Sequence, residues 1–425
     1  MKIDEYSQFK QTVYSETLTD GLKVTLMPKK DFHSVFAALF VDAGAVDQKI
    51  IDENGKVVTF PSGIAHFAEH KMFEKEQGDV DQIFSRYGAF SNAYTSQSRT
   101  VYYFQGTEEI AASIRLLLHF VQEPYYTQSS INKEQGIIGQ ELVMYQDMPD
   151  WALSFGLMGN LYAQQPLAQD IAGKVSTISQ LTSDMLYQFH KYFYQPSNLH
   201  LKISGNIDPQ ATMALIRDTQ RELSRPKIAF TSMSLFDNQI PILASGSRKM
   251  PISQTLITAG IKGINMPSSR DEAIDLAFAS DLLLDLYFSD SSDWYMKNYD
   301  AGILNDDFMA QAEIGRNYQF ISFSGHGKQQ KAFQEILSQL KRISFDSRLA
   351  NEFEVQKSAT FGELSMSLDQ LENNVFTVLD EYDTDSNVFQ ITDNLKSLTY
   401  KRAVALFEKY YDINSFSRFS IEPLD

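Results

Sequence analysis

The stretch GIAHFAEHKMFE, residues 63–74, decides how this chain is read. Its apolar residues recur at helical spacing, and His66 and His70 stand four residues apart. On a helix such a pair lies one above the other on a single face, so both imidazoles can reach one ion. Neutral imidazole is a preferred zinc ligand, and a catalytic zinc takes three protein ligands and keeps one position open. Glu69 comes three residues after the first histidine and one before the second, so it shares the face without needing to bind the metal. From there it can take a proton from water and return it to a leaving amine. The pattern H-x-x-E-H is H-E-x-x-H reversed, and chance puts it in roughly one such sequence per hundred. The competing reading is a polar helix face whose histidines are simply solvated.

A third ligand has to come from elsewhere. Residues 129–146 form a second helical pattern that carries Glu134 and Glu141, seven apart and hence on one face. Laid against residues 63–74, this helix presents one carboxylate to an ion and leaves the other two turns away, about 10 Å along the axis. Spacing does not say which is which, and taken alone both read as ordinary exposed glutamates. Asp147 and Asp150 follow this helix and are candidates for orienting a metal-bound histidine.

Working outward, residues 21–27 and 34–41 read as strands, the second apolar nearly throughout, as a strand buried on both faces is. Asn54-Gly55 marks a turn within 52–60, and Ser62 is the expected N-cap of the 63–74 helix. Helices are expected at 79–87, 108–123, 181–193 and 209–223, with extended chain at 91–105 and 200–204. Residues 224–243 lose periodicity and carry Pro226 and Pro241, which makes them the expected linker. After it come a strand at 254–261, helices at 270–286 and 294–300, and extended chain at 318–324. Helices at 329–343, 347–371 and 400–411 precede a strand at 415–421. Both halves run strand, helices, strand, helices, strand. The expected class is α+β, with two similar units at 1–223 and 244–425, each a largely antiparallel sheet with helices packed on one face.

A length of 425 residues fits two domains, and 30 Phe with 21 Tyr argue against disorder. Lys+Arg total 37 against 54 Asp+Glu, a net charge of −17, which disfavours nucleic acid as a partner. There is no cysteine, which excludes disulfides and thiolate sites. A structural zinc protein is disfavoured too, because such sites are usually cysteine-rich and closed. The start, MKIDEYSQFK, lacks the features of a secretory signal, and no apolar stretch is long enough for a membrane span, so a cytoplasmic protein is expected.

These residues resemble the pitrilysin/insulinase family of zinc metallopeptidases, the inverzincins. GIAHFAEHKMFE is similar to the family's zinc helix, with Ala68 where Leu is usual. EQGIIGQELVMYQDMPDW (134–151) resembles the segment bearing the third ligand, which in the family is the later of two glutamates seven apart. The resemblance therefore implies His66, His70 and Glu141 as ligands of one Zn2+ per chain. It gives Glu69 as the base and Glu134 as the auxiliary acid, both counted as catalytic. SNAYTSQSRTVYYF (91–104) resembles the family's edge strand, with Asn92 and Ala93 in the places that align substrate. FYQPSNLHLKISGNID (193–208) resembles the stretch closing the first unit. The likeness spans essentially the whole chain and is strongest through about residue 210. It implies a zinc-dependent endopeptidase of unfolded peptides, which bind by adding a strand to the sheet edge.

One stretch departs from the family. In YMKNYDAGILNDDF (295–308), Lys297 and Leu304 stand where the family has an Arg and a Tyr that reach a substrate. Lys cannot copy a bidentate guanidinium contact, and Leu has no hydroxyl. Either the chain is weakly active alone or a related non-zinc subunit supplies the missing Arg/Tyr pair, and the expectation is the second, a heterodimer in which this chain bears the zinc. The alternative is a non-enzymatic peptide-binding or assembly subunit, which has no need of all four of His66, Glu69, His70 and Glu141.

Overall fold

In the computed structural model of the chain, residues 1–223, 227–237, 239–377 and 379–424 are described, so Pro226 of the expected linker lies outside the described residues. The first sheet is built around Val35–Val41, buried at every position as its apolar run requires. Val35, Ala37, Leu39 and Val41 join the core beneath the helices. The alternate residues Phe36 and Phe40 project the other way and meet Phe376, with ring centroids 5.8 and 5.5 Å apart.

In space the strands run Lys2–Tyr6, Gln11–Thr17, Lys23–Pro28, Leu199–Gly205, Val35–Val41, Thr100–Gly106 and Ala89–Thr95. All neighbours are antiparallel except Leu199–Gly205 with Lys23–Pro28. The extended chain expected at 91–105 is a hairpin, turned by the polar residues 96–99. Ala89–Thr95 ends the sheet. Residues 52–60 are less irregular than expected, since Val57–Thr59 pairs antiparallel with Lys49–Ile51. The Asp52 side chain closes the turn between them by accepting from the N–H groups of Asn54 and Lys56.

The second sheet runs Ser245–Met250, Ser417–Pro423, Leu256–Lys262, Gln319–His326 and Met309–Ile314. Its one parallel pair, Ser245–Met250 with Ser417–Pro423, occupies the same place as the parallel pair of the first sheet. The two units are thus similar α+β structures. Where the first has the Ile64–Met72 helix after its central strand, the second has Arg270–Phe288. The single helix expected at 347–371 is interrupted: Ala350–Ser367 ends before Leu371–Val375 begins.

Contacts divide the chain differently from one cut at 224–243. The first unit is Met1–Leu142, Asp170–Ser234 and Ser367–Phe389; the second is Val143–Gln169, Leu235–Met366 and Gln390–Asp425. Side-chain chemistry explains both crossings. In the first unit Lys202, 1% exposed, donates at 3.3 Å to Asp380 Oδ1 and to the carbonyls of Val375 and Ser386. Lys23 pairs with both oxygens of Asp385 at 2.6 and 2.8 Å. In the second unit Pro149–Leu161 lies on the sheet, with Ala152 and Leu153 in one cluster with Met250, Leu256 and Ile421. Gly156 makes that approach possible, because a Cβ there would fall 2.3 Å from the Phe419 ring. Among the described residues no helix is long and apolar enough to cross a membrane.

The start of Arg270–Phe288 gives a pH prediction. Ser269 Oγ accepts from Glu272 N, while the Glu272 carboxylate accepts from Ser268 N (3.1 Å) and Oγ (2.5 Å) and from Lys409 Nζ (2.7 Å). The Lys409 and Ser268 hydrogen bonds hold this carboxyl down at about 2, against an ordinary 4.5. Because the folded value is the lower, the stabilisation is present above 4.5 and lost as pH falls toward 2. Glu272→Gln is expected to cost about 1–2 kcal/mol at pH 7, with the gap closing near pH 2–3. Denaturant melts of both proteins across this range check it, and a gap independent of pH would count against the assignment.

Candidate metal centre

The Ile64–Met72 helix is held by its apolar side. Ile64, Ala65, Phe67, Ala68 and Met72 are all 2% exposed or less, which leaves His66 and His70 together on the other face. Its start differs from the sequence expectation. Ser62 is not the cap; its hydroxyl donates to Thr177 Oγ1 at 3.2 Å. Gly63 stands at the N-cap with φ +88, and a Cβ there would lie 2.4 Å from Ala172 O. That approach of the 170–173 loop, rather than local capping, sets where the helix begins.

His66 and His70 have ring centroids 4.5 Å apart. One donor atom from each of His66, His70 and Glu141 lies within 4.8 Å of the other two. Glu141 Oε2 is 3.8 Å from His70 Nε2, and Glu134 Oε1 is 3.2 Å from His70 Nδ1. A carboxylate only accepts, so with His70 neutral the ring proton sits on Nδ1 and the Nε2 lone pair is left toward Glu141. The two glutamates that spacing could not separate therefore take opposite ends of one imidazole.

Electrostatics follow from this packing. Burial pushes His66 down to about 3, helped by the neighbouring His70, so its ring is neutral with lone-pair density to offer. Burial also acts to lower His70, but the Glu134 hydrogen bond and the charges of Glu69, Glu141 and Glu134 raise it overall. The His70 hydrogen bond, with the Lys71 ammonium adding to it against burial, holds Glu134 below the usual carboxylate range. Glu69 is 8% exposed, and Thr95 Oγ1 donates to its Oε2 at 3.0 Å. Burial raises Glu69; the His70 and Thr95 contacts oppose the shift and Glu141 adds to it.

The remaining expected residues separate clearly. Asn92 and Ala93 lie on Ala89–Thr95, the terminal strand that also carries Thr95, and Asn92 Oδ1 accepts from Ala93 N at 2.8 Å. Asp147 and Asp150 are exposed, and the carboxylate on the outer nitrogen of His70 is Glu134. Tyr102 is fully buried, its hydroxyl 2.9 Å from that of Tyr194, whereas Tyr94 and Tyr103 turn their rings to Phe376. Lys297 is exposed, but Leu304 is 1% exposed, and its main chain forms a bridge with Gly327. Two residues of the site escaped the sequence reading. Thr95 was visible as the threonine of Asn-Ala-x-Thr. Lys71 is four residues after the buried Phe67, so helical spacing alone would have put its side chain inside.

The donor set fits zinc. Two imidazoles and one carboxylate is the composition of a three-ligand catalytic site, and ligands about 2.0–2.2 Å from one ion lie within about 4.4 Å of each other. The donors here need only small side-chain adjustments to meet that limit. Among the described residues His66 Nδ1 is buried with no hydrogen-bond partner, a cost that coordination through this nitrogen relieves.

The chain is similar to known proteins over nearly its whole length. Residues 24–175 match the family model described as Insulinase (Peptidase family M16), and residues 180–346 match Peptidase M16 inactive domain. An uncharacterized zinc protease of Bacillus subtilis (strain 168), YmfH, is 33% identical over 372 residues, 87% of this chain and 86% of that protein. The crystal structure of an M16-like peptidase from Alicyclobacillus acidocaldarius superposes with a TM-score of 0.90 at 29% identity, covering 97% of this chain and 99% of the other. A protease from Helicobacter pylori shares the fold, with a TM-score of 0.79 at 19% identity over 97% of this chain and 99% of that one.

Proposed function

The chain belongs to the insulinase family of peptidases, M16, and from that premise we propose that it is a zinc-dependent endopeptidase acting on unfolded peptides. The observation that carries the proposal is the meeting of donors from His66, His70 and Glu141 within 4.8 Å, with the two histidines on the helix that also bears the buried Glu69 and Glu141 on Gln128–Gln146. In this reading those three side chains hold one zinc ion. When bound, the ion supplies Lewis-acid chemistry, polarising a carbonyl oxygen and making water more acidic. Glu69 takes the proton of the attacking water and passes it to the leaving amine, with the Thr95 hydroxyl aiming its carboxylate. Glu134 acts as a positioning residue, keeping the proton on His70 Nδ1 so that Nε2 faces the ion.

Substrate is proposed to add as a strand beside Ala89–Thr95, whose outer side has no strand partner among the described residues. Ala93 and Asn92 align it there. The Asn92 carbonyl now occupying Ala93 N–H gives way to the peptide. Strand addition needs an extended backbone, so the reading favours unfolded segments over folded proteins. A cytoplasmic setting is part of the proposal.

The proposal includes a partner. Lys297 is a point charge and Leu304 is core, so this chain offers no Arg/Tyr pair at these positions, and a related non-zinc subunit is proposed to bring it. Fixed donors of this kind are worth about 10²–10³ in turnover. Zinc-loaded chain should therefore cleave an unstructured peptide at least about 10²-fold faster when mixed with a related chain that carries the pair. Equal turnover with and without that chain would remove the heterodimer from the reading while leaving the zinc site standing.

A further inference from the structure

Lys71 is a buried lysine on a helix whose other buried residues are nearly all apolar. It sits in the last turn of Ile64–Met72, 1% exposed, between His70 and the core residue Met72. Its neighbour in sequence, Lys75, is spent on capping: its Nζ donates to the carbonyls of Phe120 (2.7 Å) and Glu123 (2.6 Å) at the end of Ile110–Gln122. Lys71 caps nothing. Its ammonium pairs with the Glu74 carboxylate and lies 3.7 Å from Glu134 Oε2. Glu134 thus divides its two oxygens, Oε2 toward the Lys71 cation and Oε1 on the Nδ1–H of His70.

Burying an ammonium is costly unless carboxylates surround it, and a methionine would fill the same space without that cost. What the charge gains is control of the Glu134 carboxylate. Without a cation behind it, Glu134 is a two-oxygen rotor with one hydrogen bond. Held from both sides, it fixes the plane of the His70 ring and the tautomer that leaves Nε2 as the ligand. Outer partners of metal-bound histidines set ligand orientation and basicity, and their loss typically costs about 10–100-fold in metal affinity.

We infer that Lys71 is a positioning residue for the metal centre, acting through Glu134 on His70; this rests on the zinc reading given above. The test is zinc affinity by competition with a chromophoric chelator, measured for the unaltered chain, Lys71→Met, Glu134→Gln and the double variant. The visible spectrum of the cobalt-loaded forms and the unfolding temperature of the metal-free forms are recorded alongside. Lys71→Met is expected to weaken zinc by about 10–100-fold and to shift the cobalt bands, without a matching fall in metal-free stability. In the Glu134→Gln background the same change is expected to do nothing further, because the intermediary is gone. If Lys71→Met fails to fold, Lys71→Gln, which keeps a donor and loses the charge, carries the same expectation. Unaltered zinc affinity in Lys71→Met, or equal weakening with and without Glu134, overturns the role of the lysine alone. An unaltered chain that binds no zinc overturns the zinc reading and this inference together.

Discussion

Glu69→Gln is expected to lower peptide turnover by about 10²–10⁴-fold while zinc stays at one per chain and peptide affinity is unchanged. The substitution is nearly isosteric, and its carbonyl can still accept from the Thr95 hydroxyl that now meets Glu69 Oε2 at 3.0 Å. What it cannot do is take a proton. Glu69 is buried and lies outside the group of donors able to share an ion, so neither the core nor the metal should register its loss. Zinc content by atomic absorption, peptide binding by fluorescence anisotropy and turnover on one preparation separate these effects. Undiminished turnover would mean that the base is another group. A fall in zinc content would make Glu69 a ligand instead.

His70→Ala is expected to produce the opposite split. It removes one of three ligands and empties the space between Glu134 and Glu141, leaving carboxylates at 14% and 20% exposure facing a gap. Zinc affinity should fall by about 10²–10³-fold or more, the share of one ligand in a tightly bound site. Turnover should then drop to background after dialysis. The fold should survive, because Phe67 and Ala68 anchor the helix in a core that does not involve the metal. Circular dichroism with metal analysis tests this. A His70→Ala chain that keeps stoichiometric zinc and turnover would exclude the site as drawn, and one that unfolds would make the ion structural.

The contrast between these residues shows what the sequence could and could not reveal. His66 and His70 are legible because a four-residue spacing has one meaning on a helix. Glu134 and Glu141 are equally regular, yet their difference depends on how one helix lies against another. The structure sets Glu134 at His70 Nδ1 and Glu141 near Nε2, and no local pattern records that choice. Ser62 shows the same limit at shorter range: a good capping residue loses its place because the 170–173 loop crowds Gly63. At the largest scale, the order of strands and helices announced two similar α+β units. The composition of 224–243 marked a change of segment, but which sheet an amphipathic stretch will cover is decided by partners far away in sequence, such as Lys202 for Asp380.

The crossing of Ser367–Phe389 into the first unit bears on the order in which the protein is made. Chains leave the ribosome from the amino end, and units fold as they become complete. The helix-covered side of the first sheet, with the residues of the metal centre, is fully synthesised once residues 199–223 have emerged. Phe36 and Phe40, on the reverse side, stay bare until Phe376, more than 300 residues later in the chain, has been synthesised. The nascent protein thus passes through a long interval with its chemistry assembled and one greasy flank unclothed, which is when it is most exposed to aggregation.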